Sequence, residues 1–157
     1  MGCRDLGLAF LLAVTSAAGP GGAEELKLSR EEQEVIDLTN AERKKAGLPP
    51  LTPSTKLMAA ARGHAANMAK QEKVEHVLDE KGPKDRVADA GYKASATGEN
   101  VAWNAAGPKQ ALEVWMASEP HKANILREEY ADVGVAVAKS EKGEPYWVQV
   151  FGTPEKE

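Results

Sequence analysis

The sequence predicts an α+β protein in which helices cover a small antiparallel sheet. Segments with helical periodicity and clear helix boundaries occupy most of the chain as far as Pro120, and two strand-like segments, Val133–Ala138 and Tyr146–Phe151, follow close together near its end. Strands that alternate with helices would indicate a parallel sheet instead, and the chain lacks that alternation. Helices packed on a terminal hairpin are typical of the α+β class.

Residues 1–23 predict a signal peptide. An apolar run from Leu6 to Val14 is followed by small residues up to Ala23. A run of this length is too short to span a bilayer of roughly 30 Å as a helix. Cleavage could follow Ala18 or Ala23, because both positions offer the small residues that a signal peptidase requires. We favour Ala23 because charged residues begin at Glu24. We therefore expect a secreted protein, either extracellular or periplasmic, with no membrane span.

The composition of residues 24–157 indicates one domain without disulfides. The only cysteine, Cys3, precedes the apolar run, so the exported chain is predicted to contain none. This excludes thiol catalysis and cysteine-ligated zinc. The net charge of −4 comes from intermixed acidic and basic residues, which does not favour nucleic acid as a partner. The oligomeric state is not determined by the sequence.

The first two helices have well-marked ends. Ser29 and Glu32 have the spacing of a capping box, and Gly47 suits the C-terminal end of that helix. A second helix is expected from Pro53 or Ser54 to Gln71. Its apolar face includes His64, which we interpret as a packed histidine with one ring nitrogen hydrogen-bonded rather than as a chemical group.

The remaining elements are predicted from the positions of glycine and proline and from the alternation of residues in the strand-like segments. A short helix is predicted from Pro83 to Ala90, before Gly91. The segment Gly98–Trp103 is predicted to be a turn that leads into a strand. Another helix should begin at Pro108 and end before Pro120, followed by an irregular connector that contains His121. The segment between the last two strands is of hairpin length, so these strands are predicted to be antiparallel neighbours.

Two histidines and one glutamate are the candidate chemical groups. His76 and His121 are predicted to lie in loops beside helix ends, and Glu99 lies between them in a turn with Gly98 and Asn100. Together they would suit a zinc ion with an open position for water, or general acid–base catalysis without a metal. Their spacing matches no local zinc motif, so the residues alone leave open that they are unrelated surface groups.

Motifs of several common enzyme classes are absent from the sequence. There is no G-x-S-x-G turn, no Walker loop, no G-x-G-x-x-G after a strand and no EF-hand loop. These absences argue against serine hydrolase and nucleotide-binding functions.

The chain resembles a bacterial, cysteine-free member of the CAP superfamily, which comprises cysteine-rich secretory, antigen five and pathogenesis-related proteins. The resemblance extends from about Glu34 to Gly152 and follows a single order along the chain. It is carried by these segments: Leu38-Thr39-Asn40-Ala41-Glu42-Arg43, Leu57–Met68, His76, Arg86, Gly91-Tyr92, Gly98-Glu99-Asn100-Val101-Ala102, Trp115-Met116-Ala117-Ser118, His121-Lys122-Ala123-Asn124-Ile125-Leu126, Val133-Gly134-Val135-Ala136 and Tyr146–Gly152.

The resemblance implies a three-layer α-β-α sandwich with a large cleft. The CAP domain would span residues 34–152, between a lead-in of residues 24–33 that contains the first helix start and a charged tail of residues 153–157.

In that family two histidines and two acidic residues converge in the cleft. The first three positions fall on His76, Glu99 and His121 of this chain, with Asn100 beside them. The second acidic position falls on Ser118, with Glu119 as the neighbouring acid, so its identity stays open.

Three functions are compatible with this resemblance. The first is a binding module for a small hydrophobic ligand, a peptide or a divalent metal such as zinc, with His76, His121 and Glu99 as the metal ligands. The second is a metal-dependent, protease-like hydrolase with Glu99 or Glu119 as general base. The third is a secreted interaction protein whose cleft residues only hold loops together.

Overall fold

The computed structural model describes residues 25–156, which contain five helices and four strands. The predicted signal peptide, Cys3 and the final residue of the predicted tail lie outside the described residues. In chain order the elements are α1 (Arg30–Lys45), β1 (Thr52–Pro53), α2 (Thr55–Gln71), α3 (Pro83–Asp89), β2 (Ala94–Trp103), α4 (Pro108–Met116), α5 (Glu119–Ile125), β3 (Asp132–Lys139) and β4 (Pro145–Pro154).

The predicted helix ends are confirmed where the sequence supplied a cap. Ser29 and Glu32 form the reciprocal hydrogen bonds of a capping box at the start of α1. Ser54 caps α2 by accepting a hydrogen bond from the Leu57 amide. Gly47 and Gly91, which follow α1 and α3, have φ angles of 75° and 79°, which glycine adopts without a steric penalty.

The sheet has the strand order β1-β3-β4-β2. β3 and β4 form the predicted antiparallel hairpin, and β2 pairs antiparallel with the other side of β4. β1 is a two-residue strand that pairs parallel with β3, so the sheet is mixed rather than wholly antiparallel. β2 starts at Ala94, before the predicted turn, and β4 continues to Pro154, into the segment assigned to the charged tail.

The fold is a three-layer α-β-α sandwich, as predicted. Alternate residues of β4 face opposite helical layers. Val148 and Val150 pack in a cluster with residues of α2 and α3, whereas Trp147 and Phe151 pack with residues of α1, α4 and α5. Directly paired residues of antiparallel strands share a face. Each residue of β2 therefore faces the same helical layer as its partner on β4.

The connector after Pro120 corrects one prediction. Glu119–Ile125 form the short helix α5, and Pro120 lies in its first turn instead of marking the end of an earlier helix. Proline is favoured in the first turn, because the amide hydrogen that it lacks has no partner within the helix there. His121 is consequently a helical residue and not a loop residue. No helix in residues 25–156 is long and apolar enough to cross a membrane.

Candidate functional site

Glu99 is a buried carboxylate on the edge strand β2. Its partner on β4 is Val150, so its side chain faces the layer formed by α2 and α3. Only 1% of the side chain is exposed, and a carboxylate buried to this degree must be paired to stay ionised. The structure supplies a charged partner and an imidazole partner, one for each carboxylate oxygen.

Arg86 on α3 is the charged partner of Glu99. Its Nη2 lies 2.7 Å from Glu99 Oε2 and also donates to the His76 carbonyl, while Nη1 donates to the carbonyl of Lys81. One guanidinium group thus connects β2, α3 and the segment between α2 and α3. From the sequence, Arg86 was recognisable only as part of the family pattern and not as a site residue, because its role depends on how α3 packs against β2.

His76 contacts the second oxygen of the Glu99 carboxylate. Its Nδ1 lies 2.9 Å from Glu99 Oε1, and about half of the side chain is exposed. An ionised carboxylate only accepts hydrogen bonds, so Nδ1 carries the proton of this bond. In the neutral ring, Nε2 then keeps its lone pair. The predicted approach of His76 and Glu99 is present in the structure.

His64 lies beneath this pair, in the core. Its Nε2 is 2.9 Å from the Glu75 carbonyl oxygen and 3.7 Å from Glu99 Oε1, while Nδ1 has no hydrogen-bond partner among residues 25–156. Burial lowers the pKa of His64, and the positive charges of Arg86 and His76 lower it further, although Glu99 and the Glu75 carbonyl oppose this shift. The sequence-based interpretation of a packed histidine with one bonded nitrogen agrees with this geometry.

His121 and His76 lie on opposite sides of the sheet. α5 belongs to the layer of α1 and α4, whereas His76 lies in the layer of α2 and α3. Burial lowers the pKa of His121, and a charge on His76 lowers it further. The Nδ1 atom of His121 is buried and has no hydrogen-bond partner in the described part of the chain. The two histidines thus flank the edge of β2.

Asn100 is buried on the face opposite Glu99 and holds α5 in place. Its side-chain nitrogen donates to the His121 carbonyl and to Gln149 Oε1, both at 3.1 Å. Its side-chain oxygen accepts from Asn124 Nδ2 at 2.9 Å, and Gln149 in turn donates to Thr39 on α1. Asn100 was expected beside the cleft. The structure instead gives its side chain a positioning role behind the cleft.

Ser118 and Glu119 are the two candidates for the second acidic position. Ser118 is the N-cap residue of α5, without a side-chain capping bond, and Glu119 is exposed in the first turn. Neither side chain makes a hydrogen bond or an ion pair with any residue of 25–156. Glu119 is two positions before His121, about 200° around the helix, so the two side chains point in different directions. The structure therefore brings His76 and Glu99 together without assembling a second acid beside them.

The three residues predicted as metal ligands do not form a three-ligand group. Residues 25–156 contain no set of three His, Cys, Asp or Glu side chains placed to hold one metal ion. The two Glu99 oxygens are hydrogen-bonded to Arg86 and His76 instead. The unpartnered Nδ1 of His121 and the free Nε2 of His76 are nitrogen atoms that could bind a metal ion, with Glu99 as an outer hydrogen-bond acceptor.

A cleft of about 450 Å³ opens beside His76 and Glu99. The start of α3 and the edge of β2 form its walls. It is lined by His76, Gly82, Pro83, Lys84, Asp85, Thr97, Gly98 and Glu99. A cleft of this size accommodates a small molecule or part of an extended chain.

Comparison with solved structures supports the fold. A crystal structure of an extracellular protein that contains an SCP domain, from Bacillus anthracis str. Ames, is 27% identical with a TM-score of 0.71, and the match covers 78% of this chain and 40% of that one. The crystal structure of NaASP2 with Zn²⁺ is 15% identical with a TM-score of 0.57, and the match covers 85% of this chain and 88% of that one. At this identity the likeness to NaASP2 concerns the fold alone.

Comparison of sequences identifies the family. The uncharacterized protein YkwD of Bacillus subtilis (strain 168) is 32% identical over 146 residues, which are 87% of this chain and 56% of YkwD. The chain therefore spans about half the length of this relative. The family model described as the cysteine-rich secretory protein family, CAP, matches residues 36–151. This match covers most of the chain and includes all the residues of the cleft, so the chain belongs to the CAP family.

Proposed function

We propose that this protein is an exported binding domain whose cleft binds a polar ligand group or a divalent metal ion through His76 and His121. Export is supported by the leader-like residues 1–23, which lie outside the described structure, and by the extracellular SCP-domain protein that shares the fold. The observation that carries the binding proposal is the fixed orientation of His76. Its Nδ1 is bound to Glu99, and its Nε2 is left for a ligand on a half-exposed side chain.

The Glu99–His76 pair is typical of the groups that surround a metal-binding histidine. A carboxylate that accepts the proton of one imidazole nitrogen fixes the ring orientation and increases the basicity of the other nitrogen. Arg86 holds the carboxylate in turn. His121 would supply the second nitrogen, and the zinc ion of the NaASP2 structure is a precedent within the same fold. When bound, such an ion would supply an electrophilic centre for an anionic or carbonyl group.

The hydrolase alternative receives less support from the geometry. A catalytic zinc site needs three protein ligands and an open position, and a general base must be free to accept a proton. Glu99 is committed to Arg86 and His76, and Glu119 has no contact that directs it to the cleft. The third alternative, a purely structural cluster, explains the Glu99–Arg86 pair but leaves the orientation of the exposed His76 ring without a role.

Zinc titration of the purified, chelator-treated protein by calorimetry tests the histidine site. We expect one-to-one binding that is lost in His76→Ala and in His121→Ala, with folding confirmed by circular dichroism. Glu99→Gln should weaken binding by about 10–100-fold, because it removes the outer acceptor of a metal-binding histidine. Glu113→Gln, on the exposed surface of α4, is the matched acidic control and should bind like the unchanged protein.

Two results would contradict the metal form of this proposal. One is the absence of heat in the unchanged protein, and the other is unchanged affinity in both histidine variants. The histidines would then bind a polar ligand by hydrogen bonds alone. Hydrolase activity remains a separate question, answered by peptide cleavage assays with and without chelator.

A further inference from the structure

The cleft beside His76 continues along the edge of β2 as a longer groove. It shares Lys84 and Thr97 with a neighbouring cavity of about 500 Å³, whose walls are α3 and the first residues of β2. That cavity shares Tyr92 and Lys93 with a third one of about 610 Å³, at the start of α2. Because consecutive cavities have wall residues in common, they follow one another from α2 to His76, and we call the three together the β2 groove.

The β2 groove is lined by lysines without acidic partners. Lys56, Lys84, Lys93 and Lys156 line it, and none of them forms an ion pair with a carboxylate of residues 25–156. Among residues 25–156, the lysines that are paired with nearby acids are Lys45, Lys81, Lys109 and Lys142. The acids that line the groove are Glu155 and, at the His76 end, Asp85, which accepts a bond from the Gly82 amide, and Glu99, which is paired with Arg86. Lysines thus outnumber acids in the groove of a chain whose net charge is −4.

The backbone of β2 provides a second kind of recognition in this groove. The amide of Asn104 donates to Pro145 on β4, so the even-numbered residues of β2 bond to β4 and the odd-numbered ones face the free edge. Two outward carbonyls, of Glu99 and Val101, are covered by side-chain donors from α5 and α4. No side chain of residues 25–156 donates a hydrogen bond to the Thr97 carbonyl. The amide and carbonyl of Thr97 therefore face the groove unpaired, as an edge strand offers them to another chain.

We propose that the β2 groove binds an extended acidic peptide segment, which pairs with the edge of β2 at Thr97 and places its carboxylates near Lys84 and Lys93. Strand addition supplies backbone hydrogen bonds, and the lysines select the side chains. A phosphate polymer would satisfy the lysines but could not pair with both the amide and the carbonyl of Thr97, and for this reason we favour a peptide. The inference deepens the proposed binding function but rests on residues other than the two histidines.

Fluorescence anisotropy with a labelled octapeptide of alternating Glu and Thr tests this proposal. We expect saturable binding that weakens with salt between about 50 mM and about 300 mM, because the charges are exposed. Lys84→Gln/Lys93→Gln should weaken binding by about two- to thirtyfold, the range that two exposed ion pairs supply. Lys84→Arg/Lys93→Arg should retain binding. Lys44→Gln/Lys109→Gln removes two exposed lysines from α1 and α4, on the opposite layer, and should have no effect.

Three further probes separate the alternatives. A peptide of Gln and Thr should bind weakly, and a Glu–Thr peptide N-methylated at alternate amides should bind weakly although its charge is unchanged. If the methylated peptide, or inorganic polyphosphate, bound as well as the unmodified peptide, the edge-pairing proposal would be wrong. His121→Ala, at a position that lines none of the three cavities, should retain peptide binding, and the lysine variants should retain any zinc binding, so failure of one proposal is distinguishable from failure of the other.

Discussion

At the scale of single residues, the central feature is that Glu99 is buried and that both of its carboxylate oxygens have partners. Arg86 and His76 each contact one of its oxygens, and His64 lies 3.7 Å from the oxygen that His76 contacts. A buried ion pair contributes little by forming but costs much when one partner is removed, because the remaining charge is left without compensation. Glu99 should therefore influence both stability and the orientation of His76.

Glu99→Gln should lower the free energy of unfolding by about 3 kcal/mol or more, because the Arg86 charge would stay partly buried without its counter-ion. Urea denaturation measures the change. Glu72→Gln, which breaks an exposed pair with Lys142, is the matched control and should change stability by less than about 1 kcal/mol. Equal effects of the two substitutions would show that the Glu99 pair is no more important than a surface pair.

His64 should make the stability of the protein depend on pH. Burial lowers its pKa in the folded state, so below about pH 6.5 the unfolded chain binds a proton that the folded chain does not. The free energy of unfolding should therefore fall as the pH falls from 6.5 towards the pKa of the folded state. His64→Gln should reduce this slope in denaturation series at several pH values, and an unchanged slope would assign it to other groups. The lowered pKa of His121 acts in the same direction, so part of the slope should remain.

At the scale of secondary-structure elements, α5 is held by buried polar contacts. Arg43 on α1 is fully buried and donates to the backbone carbonyls of Pro49, Ile125, Arg127 and Tyr130. Ile125 is the last residue of α5, so the guanidinium lies at the negative end of that helix. Arg43 thereby fixes the helix that carries His121.

Arg43→Met should destabilise the protein by at least about 3 kcal/mol, because each buried carbonyl that loses its donor costs about 1–3 kcal/mol. Arg43→Lys should be intermediate, since one ammonium group cannot reach all four carbonyls. Lys44→Met, at the next and exposed position, should stay within about 0.5 kcal/mol. Thermal unfolding followed by circular dichroism compares the three variants, and a mild effect of Arg43→Met would mean that water replaces the guanidinium.

The elements also show what the sequence could and could not predict. Helix ends marked by Ser29, Ser54 and Gly91 were predicted because capping and turn chemistry are local. α5 was missed because Pro120 was interpreted as a terminator, although proline is equally suited to a first turn. β1 was missed because two residues show no periodicity.

The site was predicted only in part for a different reason. The residue types and the family pattern indicated His76, Glu99 and His121, but the assignment of Glu99 as a metal ligand ignored Arg86, which packing places against it. Likewise, the opposite directions of Glu99 and Asn100 depend on which layer each face of β2 meets. Such information is contained in the tertiary structure and not in local spacing.

At the scale of the whole molecule, the distance between layers depends on close contact of α2 with β3. A Cβ atom added at Gly134 would lie 2.1 Å from the backbone oxygen of Leu57, so only glycine fits there. Because α2 also carries His64, displacement of this helix would disturb the support of Glu99.

Gly134→Ala should destabilise the protein by about 1–3 kcal/mol or more, because the added methyl group meets backbone that cannot rotate away. Gly63→Ala is the matched control, since nothing lies within 4 Å of the added atom on the exposed side of α2. It should stabilise the protein by about 0.5–1 kcal/mol through helix propensity. Denaturant midpoints of the two variants should therefore shift in opposite directions, and a neutral Gly134→Ala would mean that the layers separate easily.

The amide network behind the cleft leads to an asymmetry between the two histidines. The side chains of Thr39, Asn100, Asn124 and Gln149, which anchor α5, neither gain nor lose a proton in ordinary conditions. Glu99, which anchors His76, is a carboxylate. The support of His121 therefore consists of neutral side chains, whereas the support of His76 is a charged group that depends on its buried ion pair with Arg86, so the two walls of the cleft are held by interactions of different kinds.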